Sequence, residues 1–176
     1  MLQQFYPVTA HSYKYELNKD MNFAAAHFID YESAGKCRNV HGHTYFANIT
    51  IVGNELQEDG FLVNFQELKQ IVHGKYDHTL MNDDNDFTDE EPSTEVVAKT
   101  IYKNIEQALK KYDNNPKVLQ VIVRETPTSY VTYKELPANE EDIYIDGQYQ
   151  GTIENKKRDF LEQQNQYNQK HDWSEW

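Results

Sequence analysis

The sequence is nearly without cysteine: Cys37 is the only one in 176 residues. No intrachain disulfide can form, and a lone thiol suits a reducing compartment while staying available for chemistry. No apolar run approaches the ~20 residues that a membrane crossing requires. The first residues, "MLQQFYPVTA", lack the basic and apolar regions of a signal peptide. Together these absences lead us to expect a soluble, cytoplasmic protein with no membrane partner. Positive charge is also scarce, with 17 Lys and Arg against 29 Asp and Glu and a formal net charge of −12. A general nucleic-acid binder would need a basic surface for phosphate contacts, so no nucleic-acid partner is expected. A Gly-rich dinucleotide fingerprint is absent too, which leaves no motif for a nicotinamide cofactor.

What is present is enough for one domain with a substantial core. Charge is unevenly spread over it. Residues 1–134 carry 19 acidic and 13 basic side chains, residues 135–176 carry 10 and 4, and each part nets −6. With its Glu, Gln and Asn content, the shorter part marks a composition shift near Pro137. We therefore divide the chain into a body, 1–134, and an acidic polar extension, 135–176. Within the extension "IYIDGQYQG" suits a hairpin on its Asp-Gly turn. Phe160, Leu161, Tyr167 and Trp173 offer docking side chains, and a loosely ordered extension is the alternative.

The body reads as strand, strand, helix, helix, strand, strand. "YELNKDMNFAAAHFI" is a strand whose alanines also allow a helix. "HTYFANITIVGN" alternates, with Tyr45, Ile49 and Ile51 on one face and Phe46 and Val52 on the other. The two are expected to pair antiparallel across the loop from Tyr31 to Val40. Asn64 caps a helix with Glu67 three places on, and Phe65, Leu68, Ile71 and Val72 form its stripe until Gly74. After the acidic loop "NDDNDFTDEEP", a second helix carries Val97, Ile101, Ile105, Ala108 and Tyr112 at helical spacing. "KVLQVIVRET" and "YVTYKE" are the closing strands.

"CRNVHGHTY" then acquires a geometry. In an extended strand His41 and His43 point to one side about 7 Å apart, a span an intervening metal can bridge. If the first two strands pair, His27 falls opposite them and three imidazoles share a sheet face. Three nitrogens with an open fourth position is the pattern of catalytic zinc, whereas oxygen ligands would suit calcium or magnesium. A satisfied core histidine is the competing reading of His27. Cys37, between Lys36 and Arg38, is either a small buried hydrophobe, a thiol activated by nearby cations, or a fourth ligand. The adjacent Asp77 and His78 are either solvated surface or a working pair. Glu125, ending an apolar strand, is either exposed at the strand exit or held for a ligand with a planar N–H edge.

The ordered set "FAAAH", "CRNVHGHTY", "GFLVNFQELK", "YDHTLMN", "PSTEVVA" and "VRETPTSY" resembles the 6-pyruvoyl-tetrahydropterin synthase family, and more closely its bacterial branch of the queuosine pathway. The resemblance covers roughly residues 5–134. It implies zinc on His27, His41 and His43, a catalytic thiol at Cys37, a proton-relaying pair at Asp77 and His78, and a pterin-anchoring carboxylate at Glu125. Thr94 and Thr126 fall in the family's pterin-pocket segments. The implied fold is the α+β tunnelling fold (T-fold), an antiparallel sheet with two helices on one face, joined with other subunits into a barrel. A homohexamer or homotetramer with active sites between subunits follows.

The implied reaction is a carbon-carbon lyase step on the pterin triphosphate substrate 7,8-dihydroneopterin triphosphate, giving 6-carboxy-5,6,7,8-tetrahydropterin, acetaldehyde and triphosphate. Lys19, Lys36 and Arg38 are candidates for the triphosphate. Two other readings stay open: the pyruvoyl-forming reaction, and a noncatalytic zinc- or pterin-binding protein on the same fold. Two departures from the family stand out. Asn64 replaces the usual aspartate, which a capping role tolerates, and the extension has no counterpart in the common core.

Overall fold

The structure, a computed structural model, describes residues 9–135, 142–145 and 148–152. Tyr15–His27 form β1 and His41–Gly53 form β2, paired antiparallel along their whole length. Ala24, Ala25 and Ala26 are strand residues despite the helical preference of alanine, because every one of them has a partner on β2. The connecting loop contains a 3₁₀ turn over Glu32–Arg38. Helix α1 spans Phe65–Tyr76, a two-residue strand β3 follows at Thr79–Leu80, and helix α2 spans Thr94–Leu109. Strands β4, Lys117–Thr126, and β5, Ser129–Tyr133, complete a sheet of order β3-β1-β2-β4-β5. All neighbours are antiparallel except β3, which runs parallel to β1 at Ala25 and Ala26.

Tyr13–Glu135 form one compact unit, and a second unit contains the antiparallel strands β6, Asp142–Ile145, and β7, Gln148–Thr152. These strands flank the expected Asp-Gly turn, whose residues lie outside the described ones, as do Phe160, Leu161, Tyr167 and Trp173.

The core lies between the helices and one face of the sheet. Phe23 and Ala25 of β1, Tyr45, Ala47, Ile49 and Ile51 of β2, and Val121 and Val123 of β4 are buried there at a spacing of two. Against them α1 buries Leu68, Val72 and Tyr76, and α2 buries Val97, Ala98, Ile101, Tyr102, Ile105 and Leu109. Four expectations change. Phe65 is exposed, and α1 continues through Gly74 because Tyr76, one turn beyond Val72, adds a fully buried ring to the stripe. Asn64 does cap α1, accepting from Gln66 N–H at 2.9 Å, but Glu67 turns away to accept from Tyr112 Oη at 2.5 Å. Tyr112 itself lies past the end of α2, and Leu109 takes the core position in its place.

Candidate metal centre

The face that carries the core ends in polar side chains on three adjacent strands. His27 is the last residue of β1 and stands opposite His41, the first of β2, with Ala25 opposite His43. The ring centroids lie 4.5 Å apart for His27 and His41, 5.0 Å for His41 and His43, and 5.4 Å for His27 and His43. Glu125 joins them from β4. There Arg124 pairs with Tyr130 and Thr126 with Ser129, so Glu125 falls at a register shift. Bulges of this kind re-aim a side chain next to a site, and Glu125 Oε1 comes to 3.3 Å from His27 Nε2 and 3.4 Å from His43 Nε2.

The tautomers of two rings follow from their partners. Pro92 O lies 2.7 Å from His27 Nδ1, and Asn39 O lies 2.8 Å from His41 Nδ1. A carbonyl oxygen only accepts, so each Nδ1 donates and each Nε2 keeps its lone pair for a ligand. His27 is 3 % exposed. Its Nε2 and that of His43 are buried without a hydrogen bond, since neither approach to Glu125 has hydrogen-bond geometry. Buried polar atoms are rarely left so. One ligand atom from each of His27, His41, His43 and Glu125 can be chosen with all four within 4.8 Å of one another. The donor set therefore fits a metal ion, and the nitrogens favour a borderline-soft one over calcium or magnesium.

Charge and burial act against each other here. Burial pushes the His27 imidazolium toward deprotonation, but contact with Glu125 and the Pro92 carbonyl outweighs it and holds the pKa above the ordinary histidine value. His43 is held below that value, by burial first and by the neighbouring His27 and His41, with Glu125 opposing. The His27 contact keeps the Glu125 carboxyl below its usual range despite burial, with help from His43 and a hydrogen bond from Thr94. Beneath the cluster Tyr45 is fully buried, its hydroxyl 3.5 Å from Glu125 Oε1, and burial with that carboxylate pushes its pKa far upward.

Other residues singled out in the sequence fall as follows. Thr94, buried at the start of α2, reaches Glu125. Thr126 instead faces Thr128, at 3.5 Å between hydroxyls. Cys37 is exposed at the end of the 3₁₀ turn, where its carbonyl accepts from Ile29 N–H at 2.9 Å, and its thiol is not among the clustered donors. Lys36 and Arg38 flank it on the exposed turn, and Arg38 pairs with Asp30 at 3.4 Å. Lys19 lies opposite Ile49, roughly 26 Å along β1 from His27 at ~3.3 Å per residue, so it does not reach this cluster.

Asp77 and His78 form a separate group at the end of α1. Asp77 Oδ1 accepts from Ala24 N–H at 2.7 Å, while Oδ2 lies 3.6 Å from His78 Nε2 and 3.4 Å from His73 Nδ1. His73 was not anticipated, although its spacing of four from Asp77 on a helix is the signal that finds it. His78 is 84 % exposed and sits at φ 59°, a left-handed conformation that is uncommon outside glycine and concentrates at functional positions. His43 and His78 line one open depression with Thr44 and Leu80.

An open sheet with helices on one face and a histidine-carboxylate centre at its end defines the class. Residues 16–136 match the family model described as 6-pyruvoyl tetrahydropterin synthase, and the chain belongs to that family. Its fold is the T-fold. More particularly, the chain is 58% identical over 138 residues to 6-carboxy-5,6,7,8-tetrahydropterin synthase of Bacillus subtilis, covering 76% of this chain and 94% of that protein. It is 34% identical over 111 residues to 6-pyruvoyl tetrahydrobiopterin synthase of Drosophila melanogaster, covering 58% of this chain and 64% of the relative. Among solved structures, 6-pyruvoyl tetrahydropterin synthase of Caenorhabditis elegans superposes with a TM-score of 0.57 at 22% identity, over 73% of this chain and 99% of that one.

Proposed function

We propose that this chain converts 7,8-dihydroneopterin triphosphate, with uptake of water, to 6-carboxy-5,6,7,8-tetrahydropterin, acetaldehyde and triphosphate, as a zinc-dependent step of queuosine synthesis in the cytoplasm. The enzyme is a lyase of the tetrahydropterin synthase class. One observation carries the reading: the three histidines and Glu125 converge at one end of the sheet in a chain 58% identical to a 6-carboxy-5,6,7,8-tetrahydropterin synthase.

His27, His41 and His43 hold the zinc, His27 and His41 through the Nε2 atoms that their carbonyl partners leave free. When bound, the ion supplies a Lewis acid and a template for the substrate's side-chain hydroxyls. Glu125 grips the N–H edge of the pterin with paired charge-assisted hydrogen bonds, and Thr94 steadies the carboxylate while Thr126 borders the pocket. The Cys37 thiolate takes a carbon-bound proton. His78 Nε2, oriented by Asp77, donates or accepts on the other side. Lys36 and Arg38 meet the triphosphate.

Residues 1–134 are the catalytic unit and 135–176 an extension to it. A homohexamer or homotetramer completes the active sites between subunits. One feature supports assembly: among the described residues no strand pairs with the outer edge of β5. Unpaired edges are normally covered in native proteins.

Product analysis by mass spectrometry, after incubating zinc-loaded protein with 7,8-dihydroneopterin triphosphate, tests the reading. Carboxytetrahydropterin with acetaldehyde is expected. A pyruvoyl product would move the chain to the sister reaction, and unchanged substrate with metal verified would leave only a binding role.

A further inference from the structure

The segment after α1 runs along the outer edge of β1 from Ala24 to Phe28, and side chains do part of the pairing. Ala24 N–H donates to the Asp77 carboxylate, His78 N–H donates to Ala24 O at 2.6 Å, and Thr79 and Leu80 then pair with Ala25 and Ala26. Past Leu80 the backbone turns away into a 3₁₀ turn, Met81–Asp83. Continued in the same register, Asn82 would lie opposite Phe28. Here the Asn82 side chain takes over as a peptide group would: Oδ1 accepts from Phe28 N–H at 2.9 Å and Nδ2 donates to Phe28 O at 2.9 Å. Nδ2 also donates to Glu91 Oε2 at 3.0 Å. Both donors of the amide are engaged, and a flipped amide would set donor against donor, so its orientation is fixed.

The two anchor points of Asn82 are neighbours of the two groups that aim the first histidine. Phe28 directly follows His27. Glu91 directly precedes Pro92, whose carbonyl holds His27 Nδ1 at 2.7 Å. One side chain thus ties the backbone that carries the imidazole to the segment that orients it. Ser93 follows, its Oγ accepting from Val96 N–H at 3.3 Å to cap α2, and Thr94 reaches Glu125.

We propose that Asn82 is a positioning residue of the metal centre: by joining Phe28 to Glu91 it sets the Pro92 carbonyl against His27, fixing that ring's tautomer and direction and so the affinity for zinc. The inference rests on the three histidines being the metal ligands. Partners that orient a ligating imidazole are worth ~10–100-fold in metal affinity.

The test is competition for Zn²⁺ between a chromogenic chelator and the full-length protein stripped of metal, with the unfolding temperature of each variant measured alongside. Asn114→Ala is the control, because Asn114 bridges the carbonyls of Glu55 and Leu62 at 3.1 and 2.9 Å at the other end of β2. Asn82→Ala is expected to weaken Zn²⁺ binding ~10–100-fold, and Glu91→Ala, which leaves the Phe28 pairing intact, several-fold (about 3–10) on the same scale. Glu91→Gln keeps an accepting oxygen and is expected to bind as the wild type does. Asn114→Ala is expected to lose stability with affinity unchanged. Wild-type affinity in both Asn82→Ala and Glu91→Ala, or a loss no greater than in Asn114→Ala, would overturn the inference. Should Asn82→Ala fail to fold, the contrast between Glu91→Ala and Glu91→Gln decides alone. A wild-type chain that takes up no Zn²⁺ would overturn the three-histidine reading itself and this inference with it.

Discussion

Two of the polar clusters among the described residues of the body differ in whether they are closed. Around Asp86, the carboxylate accepts from Lys75 Nζ and Tyr76 Oη at 2.5 Å each and from Asn104 Nδ2 at 2.7 Å, and no buried side-chain atom of this group lacks a partner. Around Glu125, the Nε2 atoms of His27 and His43 are buried and have no hydrogen bond. A closed network can stabilise a fold by itself. A cluster with lone pairs left over has capacity for a ligand, and among the described residues the group with metal-binding geometry is the second one. Burial and polarity alone do not mark a functional site, nor does a lone unsatisfied atom such as Asn114 Oδ1; unsatisfied nitrogens that converge with further ligand atoms do.

The difference can be broken most severely at a ligand. His43→Ala is expected to weaken Zn²⁺ by more than the ~10–100-fold that loss of an outer partner costs and to abolish product formation, while the denaturation midpoint of the metal-free protein changes little. Metal analysis and the product assay check it. At the closed cluster the pattern should invert. Asp86→Asn is expected to cost about 1–3 kcal/mol in denaturant unfolding, because it weakens an ionised acceptor held by three donors, with zinc content unchanged.

The pH dependence of that cost follows from its sign. Burial raises the Asp86 pKa, but Lys75, Tyr76 and Asn104 outweigh it and hold the carboxyl below its ordinary value of 3.8. The stabilisation is present above that ordinary value and lost as pH falls through the depressed one. The gap between wild type and Asp86→Asn should therefore be constant near neutrality and close only below about pH 4, as denaturant titrations at several pH values would show. A smaller effect is expected from Ser93→Ala, roughly 1 kcal/mol for the lost cap of α2. Asn64→Asp should change stability by no more than a few tenths, since either residue caps α1.

Much of the histidine site is legible in the sequence because a strand repeats every two residues. That period puts His41 and His43 on one face, and an antiparallel pairing across the Tyr31–Val40 loop brings in His27. Glu125 reads in the sequence as a carboxylate at a strand end, either exposed or held for a ligand. Its approach to the imidazoles is not legible, because that depends on the β2–β4 register and on the shift between Arg124 and Thr126, neither of which has a local sequence signal. Strand β3 is only two residues long, and it owes its pairing to the exposed edge of β1 rather than to its own pattern. Gly74 read as a stop for α1 because glycine is a poor helix former, yet burial of Tyr76 carries the helix past it. His73 and Asn82 do not stand out in the sequence for a shared reason: each acts through a neighbour, Asp77 in one case and the Phe28–Glu91 pair in the other.

The central claim is that the end of the β1–β2 pair is a metal centre built from imidazoles, with the thiol of Cys37 left free. X-ray absorption at the zinc edge of the zinc-loaded protein tests it most directly. Three imidazole nitrogens at ~2.0–2.1 Å with no sulfur shell are predicted. A sulfur at ~2.3 Å would make Cys37 a ligand and contradict the account.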